Sequence, residues 1–530
     1  MRNEIKKFIF GIAFLLIGFC EVAFGQEHTI IPEPLQVSDN NTTFNFSEET
    51  TIEAGLPLLF EAEYCKDLLQ RDFDIETVVR TGHNYDGKIK LLLDKTISAK
   101  EQYQLWVSND SIVIAGSTSA GVFYGLQTFK QWMWQHYNAR TMTLKGVFIT
   151  DQPRFPFRAL MLDPARYFLP LDGLKSYVDV MAQYKFNRLH LHLSDDQGWR
   201  IEIKSYPKLT EIGSVRQETD GDGKTHAGFY TQDEMRELVA YAAERHIAII
   251  PEIDIPGHSV AAIAAYPYLT CFDEKKLNVR TTPGVSKDLL CAGKDEVFQF
   301  VDAVITELST IFPSEEFHIG GDEAPLDHWE TCPKCQMRME TLDIENPREL
   351  MSFFFERVNK SLQKNQKKPL IWYELDVPYY PENSIMYAWR KGLSRKVIHQ
   401  AYKNGYSVIM SPGEHAYFDY PQAKGEETCD WMPVLSLKQV YQFDPCMGLK
   451  PAKCDHIIGV EATVWGEYVR DIDRAFYMTW PRGFALAEAG WSSPEKRDWN
   501  VFKKKLKPHL DGLEKQGVNF REPIESFDAD

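Results

Sequence analysis

The sequence predicts an α/β protein built on a (β/α)8 TIM barrel and preceded by a small α+β domain. Three observations predict it. From Ala159 onward, short apolar runs alternate with stretches of helical periodicity, and the eight runs match the strand count of such a barrel. Acidic and aromatic residues sit at or just past the C-terminal ends of these runs, which is where barrels of this kind carry their chemistry. Ahead of residue 153, short strands and one or two helices follow one another without that rhythm.

The elements are taken in order. Met1 to Lys7 is basic, Phe8 to Phe19 is apolar, and Ala23-Phe24-Gly25 places small residues at the −3 and −1 positions. This is the pattern of a secretory signal cleaved after Gly25, and the apolar run is short for a membrane span. An exported protein, periplasmic or secreted, is therefore expected. Cys20 offers a surface lipoprotein as the alternative, which the bulky Phe19 before it disfavours.

From residue 26 to 152, Ile89 to Leu93, Tyr103 to Val107 and Ser111 to Ala115 read as strands, the last two joined by the polar Ser108-Asn109-Asp110. Val122, Leu126, Phe129 and Met133 recur at helical spacing between Gly121 and Trp134. Asp151 to Pro156 supplies a linker signal, so the boundary is expected at 152/153. The barrel is expected over 153–498, with strands at 159–163, 186–193, 247–252, 316–321, 370–373, 385–389, 407–410 and 457–463. Helices are expected around 171–184 and 231–245. The remainder, 499–530, reads as a closing amphipathic helix, Trp499 to Leu513, and a tail.

Composition limits the partners. A net charge of −17 over 530 residues argues against nucleic acid or an anionic membrane, whose phosphates it would repel. An aromatic share of 13% is consistent with flat, apolar ligand faces such as sugar rings and equally with a large packed core. Export makes Cys65, Cys271, Cys291, Cys332, Cys335, Cys429, Cys446 and Cys454 candidates for disulfides. Cys271 with Cys291, and a pair within Cys429 to Cys454, would close short loops. Cys332-Pro333-Lys334-Cys335, with His328 nearby, supplies only half of a structural zinc site, so no metal and no cofactor is expected.

Three stretches concentrate polar groups. His318-Ile319-Gly320-Gly321-Asp322-Glu323 ends an apolar run on two glycines, which clear space, and two acids, which face it. Asn187 to Leu193 alternates strictly, so His190 and His192 share one strand face, toward the barrel interior, and the leucines the other. A metal site there competes with hydrogen-bonded interior histidines, and the latter is preferred. Pro251 to Ser259 holds Asp254 four residues before His258, a spacing at which the carboxylate can fix one imidazole tautomer. Trp372, Trp389 and Trp465 stand at or just past strand ends and can wall a pocket or simply fill a core.

RALMLDPARYF, NRLHLHLSDDQGWR, PEIDIPGHS, HIGGDE and VEATVWGEY, in this order and spacing, resemble the glycoside hydrolase family 20 β-N-acetylhexosaminidases over about Pro153 to Ser493. The preceding domain resembles the one that usually accompanies that barrel. The resemblance implies that Glu323 is the general acid and then base, and that Asp322 orients and polarises the substrate's 2-acetamido group, with Tyr417 donating to its carbonyl oxygen. It implies that Trp372, Trp389 and Trp465 enclose the acetamido methyl and the sugar face. Arg158 and Glu467 would grip the non-reducing-end hydroxyls and Asp419 the hydroxymethyl. Asp195 and the Asp254–His258 pair would support the ring hydroxyls and the acid.

The residues agree with the unusual mechanism that the resemblance implies. Two carboxyl groups that displace a leaving group with retention stand about 5 Å apart across the scissile bond. Adjacent Asp322 and Glu323 diverge along the chain and do not straddle it. If the substrate's acetamide oxygen attacks the anomeric carbon, one acid serves the leaving group and the other steadies the charge that develops on nitrogen. The expected activity is exo-acting, retaining hydrolysis of terminal β-linked GlcNAc or GalNAc through an oxazolinium intermediate. The expected partner is an oligosaccharide or glycoconjugate. The alternatives are lacto-N-biosidase-like disaccharide release, or a catalytically silent glycan-binding protein on the same scaffold.

Overall fold

The computed structural model describes residues 28–82, 87–429 and 431–522. The expected signal segment, with Cys20, lies outside the described residues. A seven-stranded sheet comes first, in the order Gln36–Ser38, Val147–Asp151, Tyr103–Val107, Ile112–Gly116, Ile89–Leu93, Thr51–Ala54, Val78–Thr81. Tyr103–Val107 and Ile112–Gly116 pair antiparallel, as their short polar connection predicts. The helix expected from Gly121 begins earlier, at Ser119, because the Thr118 hydroxyl accepts from the Gly121 N–H at 3.4 Å and caps it. Its apolar positions, Val122, Leu126, Phe129 and Met133, are all buried.

The second unit is a closed parallel barrel of eight strands: Phe157–Leu162, Arg188–His192, Ala248–Glu252, Glu316–His318, Lys368–Trp372, Ile385–Ala388, Ser407–Met410 and Ile457–Val464. Each coincides with an expected run. The last pairs with the first, Phe157 opposite Gly459 through Leu162 opposite Val464, which closes the ring. The strand most shortened at its C-terminal end against expectation is the fourth. Glu316–His318 stops before Gly320 and Gly321, whose φ angles of +64° and +97° leave the extended region. A Cβ at Gly320 would lie 1.7 Å from Asp254 Oδ1, so only glycine lets these two loops meet. Strand alternation does what its period dictates: Leu189, Leu191 and Leu193 pack with the helices, and His190 and His192 are fully buried on the opposite face.

Arg158 is where the structure corrects the sequence reading. It is the second residue of its strand, so it lies at the N-terminal end of the barrel, away from the strand ends that carry the acids. Its guanidinium pairs with Glu101 of the preceding sheet unit at 2.9 and 3.0 Å and donates to the Lys185 and Phe155 carbonyls. It also stacks over Trp491 at 4.9 Å. Beside it, Asp151 accepts from Lys185 Nζ at 3.0 Å, Tyr103 OH at 2.6 Å and Trp491 Nε1 at 3.0 Å, all buried. The segment read as a linker is thus a joint built from two ion pairs, Lys185–Asp151 buried on both sides and Arg158–Glu101 with the arginine buried and Glu101 half-buried.

Removing one partner of a buried pair leaves the other desolvated and alone, at a cost of about 3–5 kcal/mol. Arg158→Met, which strands a half-buried Glu101, is accordingly expected to lower the unfolding free energy by about 2–3 kcal/mol, and the denaturation midpoint with it, while leaving KM for substrate unchanged. Unfolding at the wild-type midpoint, or a KM that rises several-fold, would return Arg158 to the ligand site.

Candidate active site

The groups that converge lie at the C-terminal mouth of the barrel. At its centre is Glu252, the last residue of its strand and fully buried. Its Oε1 accepts from Trp372 Nε1 at 2.7 Å and lies 2.9 Å from His318 Nδ1. Its Oε2 meets His192 Nδ1 and stands 3.2 Å from His190 Nε2. His190 Nδ1 reaches Glu461 at 2.9 Å, and Tyr387 OH donates to the same carboxylate at 2.9 Å. Burial works against the charge on Glu252, but the surrounding imidazoles overcome it and hold its carboxyl well below the usual range. Burial likewise opposes the charge on His190, yet Glu461 and Glu252 push it up to about 9. The barrel interior is therefore an ionic floor on which Trp372 rests.

From that floor a chain of contacts runs outward. His192 Nε2 lies 2.7 Å from Asp195 Oδ2, which also takes Arg166 Nη2 at 2.8 Å. Asp195 Oδ1 lies 3.2 Å from His258 Nδ1, and His258 Nε2 faces Glu323 Oε2 at 3.8 Å. The imidazole's hydrogen-bond partner is thus Asp195, not Asp254 four residues before it. Asp254 Oδ1 instead accepts from the Gly321 N–H at 3.1 Å and so holds the loop that carries the two acids. His258 and Glu323 both adopt left-handed backbone, φ +49° each, which non-glycine residues keep only where the surroundings enforce it.

Asp322 and Glu323 differ in environment although they are neighbours. Glu323 is about one-third exposed. Asp322 is buried, its Oδ1 has no hydrogen-bond partner, and burial, with the Glu323 charge adding to it against His258, raises its carboxyl to about 7. Tyr417 is buried, and burial together with the Asp419 and Asp322 charges pushes its phenol well above 10, so it remains a donor. Trp465 lies between, its ring 5.7 Å from Trp372 and 6.4 Å from Tyr417. Trp389 is half-buried, with Nε1 unpartnered and Arg390 4.3 Å over its ring.

Arg166, not Arg158, stands at this mouth. It follows the same strand by four residues and is buried among Asp163 at 2.8 Å, Asp195 at 2.8 Å and Glu467 at 3.9 Å. Asp163 Oδ2 also accepts from the Gly466 N–H, which ties the loop bearing Trp465 and Glu467 to the first strand. Asp419 Oδ1 and Glu467 Oε2 are buried without partners, and burial, then the Glu467 charge, holds Asp419 well above the usual range. Buried polar atoms normally find partners. Here Asp322, His258, Trp389, Asp419 and Glu467 all keep unpartnered atoms. Such a set suits a ligand rich in hydroxyl and amide groups, seated against tryptophan faces. A larger cavity of about 790 Å3, lined by Glu101, Arg154 and His246, lies at the opposite end of the barrel and contains none of these groups.

Comparison with known proteins agrees with this geometry. Residues 155–494 match the glycosyl hydrolase family 20 catalytic domain, and residues 27–152 match that family's domain 2. A β-hexosaminidase of Akkermansia muciniphila is 44% identical over 79% of this chain and 86% of its own length. One from Porphyromonas gingivalis is 38% identical over 93% of this chain, which spans 64% of that longer protein. The structure of an exo-β-N-acetylglucosaminidase from Vibrio harveyi in complex with N-acetylglucosamine superimposes with a TM-score of 0.84 at 30% identity, covering 96% of this chain and 80% of that one.

The buried, unpartnered Asp322 has a consequence for stability. A carboxyl raised in the fold from 3.8 to about 7 destabilises the folded state, fully above the folded value and not at all below the unfolded one. Asp322→Asn is therefore expected to raise the melting temperature at pH 8 by several degrees. That gain should shrink as pH falls from about 7 and vanish near 4. A pH-independent difference between variant and wild type in ligand-free melts would contradict the assignment.

Proposed function

The chain belongs to glycosyl hydrolase family 20, and on that premise we propose how its cleft divides the work of a retaining β-N-acetylhexosaminidase. The enzyme is exo-acting and hydrolyses terminal, non-reducing β-linked GlcNAc or GalNAc by substrate-assisted catalysis. One observation carries the division of roles: the two acids are consecutive residues in unlike environments, Asp322 buried and Glu323 partly exposed. Glu374 donates nothing as a nucleophile, because Arg390 clamps it through two hydrogen bonds of 2.5 and 2.9 Å.

Glu323, solvent-accessible and backed by His258, protonates the leaving oxygen and later deprotonates the attacking water. Asp322, in a dry position, takes the acetamide N–H and steadies the positive charge that grows there, while Tyr417 donates to the acetamide oxygen and aims it at the anomeric carbon. Attack by that oxygen inverts the anomeric centre and expels the alkoxide with its proton from Glu323. Water then opens the oxazolinium ring, inverts the centre again and restores the β configuration. Trp372, Trp389 and Trp465 enclose the methyl and sugar faces. Arg166, Asp419 and Glu467 take the hydroxyls at the non-reducing end, and the Arg166–Glu467 ion pair across it favours a closed pocket and single-sugar release. A cavity of about 220 Å3 beside Glu323, lined by Arg348, Asp376 and Arg390, receives the leaving part.

Export follows from the N-terminal signal pattern. No helix among the described residues is long and apolar enough to cross a membrane. The described chain is engaged in the fold from its start: Ile31 N–H donates to Gln131 at 2.8 Å and Thr29 O lies 2.6 Å from His509 Nε2.

Nitrophenyl β-glycosides of GlcNAc and glucose test these roles when compared with a GlcNAc disaccharide. The GlcNAc glycoside is expected to be cleaved and the glucoside not. Asp322→Asn should lose about 10²–10³ in kcat on every GlcNAc substrate, since stabilisation of the developing charge does not depend on the leaving group. Glu323→Gln should lose up to about 10⁴ on the disaccharide and far less on the nitrophenyl glycoside, whose leaving group needs little protonation. Cleavage of glucoside and GlcNAc substrates at similar rates would overturn acetamide participation. Turnover of neither, with binding retained, would favour a glycan-binding protein.

A further inference from the structure

Four cysteines distant in sequence converge beside the active-site loops. Cys271 and Cys291 lie in the long segment that follows the strand Ala248–Glu252 and carries Asp254 and His258. Cys332 and Cys335 follow the acids Asp322 and Glu323. All four are buried thiols whose sulfurs lie within 4.8 Å of one another. The Cys271–Cys335, Cys291–Cys332 and Cys291–Cys335 separations are 3.8, 3.8 and 3.5 Å. Cys446 and Cys454, by contrast, are joined as a disulfide. The short-loop pairing of Cys271 with Cys291 expected from sequence is therefore not formed, and the Cys-x-x-Cys that seemed half a site has its other half 41 to 64 residues upstream.

The arrangement has the dimensions of a metal-thiolate tetrahedron. Four sulfurs about 2.3 Å from a central zinc stand about 3.8 Å from each other. A disulfide instead requires two sulfurs at about 2.05 Å and breaks the set into pairs; here Cys291 is almost equally close to both helix cysteines, and no pair is singled out. The backbone is built for close approach. Cys332 is the N-cap and Cys335 lies in the first turn of the helix Pro333–Leu342, whose free N–H groups favour thiolate. A Cβ at Gly293 would stand 2.3 to 2.5 Å from the Lys334–Cys335 backbone, so glycine is needed for the two halves to close on one another. Lys294, buried next to it, ties down the carbonyls of Tyr268 at 2.9 Å and Thr270 at 2.7 Å, just before Cys271. Trp329 Nε1 donates to Leu290 O at 3.0 Å and joins the same two segments.

We propose that Cys271, Cys291, Cys332 and Cys335 form a structural tetrathiolate zinc site that staples the loop bearing His258 to the loop bearing Glu323. On binding, the four thiols release their protons to solvent and zinc takes the four sulfur ligands without any change of oxidation state. With all four positions filled by protein, the metal offers no open site to substrate. It is a clamp outside the cleft, nine residues beyond Glu323 at its first helix ligand.

The test is metal analysis together with a thiol count on the full-length enzyme without residues 1–25, purified without chelator or reductant from zinc-supplemented medium. One zinc per chain is expected, with six thiols titratable after denaturation in chelator: the four ligands, Cys65 and Cys429. Less than a tenth of a zinc per chain, or only two titratable thiols, would overturn the site in favour of free thiols or of two disulfides. Cobalt(II) exchanged into the chain should give thiolate charge-transfer absorption and tetrahedral visible bands, both lost in Cys335→Ser. Their persistence in that variant would place the metal elsewhere. Removing the metal from wild type with a chelator should lower the melting temperature; an unchanged melt with zinc gone would refute the structural role.

Discussion

The buried carboxylate of Glu252 is the fixed point of this molecule. A lone ion at the barrel centre would cost several kcal/mol, so it persists only because four groups from three other strands, His190, His192, His318 and Trp372, close on it. Meeting that demand positions the chemistry. Trp372 is pinned by its indole N–H and becomes the floor of the cleft. His192, held on one side by Glu252, holds Asp195 on the other, and Asp195 orients His258 behind Glu323. The acid at the surface is thereby connected to the core by a continuous run of charged contacts, each of which fixes the next.

The same principle, carried only part way, makes the cleft. Glu252 has a partner on each carboxylate oxygen; the acids at the mouth do not. Asp322 and Asp419 are buried and Glu467 half-buried, each with an unpartnered oxygen, and desolvation raises all three carboxyls above their ordinary range. Such groups weaken the fold in its resting form and gain most when a sugar's hydroxyls and amide replace the missing partners. Asp322 is the sharpest case. It cannot serve as a nucleophile opposite its own neighbour, but a dry carboxylate is well suited to a positive charge that appears only during reaction.

Much of this was legible in the residues, and the failures have physical causes. All eight barrel strands were visible because parallel strands buried on both faces read as apolar runs, and the interior placement of His190 and His192 followed from a period of two. The expectation for Arg158 fails on chain direction: an arginine at the start of a strand lies at the bottom of a barrel, whereas Arg166, four residues past the strand's end, lies at the top. The partner of His258 was missed because the nearest acid in sequence, Asp254, is turned toward Gly321, while Asp195 arrives from another strand. The four-cysteine cluster was hidden for the same reason. Separations of up to 64 residues carry no local signal, and only the fold brings them together.

The central claim is that the acetamide of the substrate, held between Asp322 and Tyr417, is the nucleophile. It is tested most directly by aryl β-glycosides of glucosamine in which the N-acetyl group carries zero, one, two or three fluorines. Fluorine withdraws electrons from the carbonyl oxygen and changes little else. The account predicts that kcat/KM falls steeply and steadily along the series for the wild-type enzyme. A flat series would contradict it and would require a protein carboxylate to form the bond.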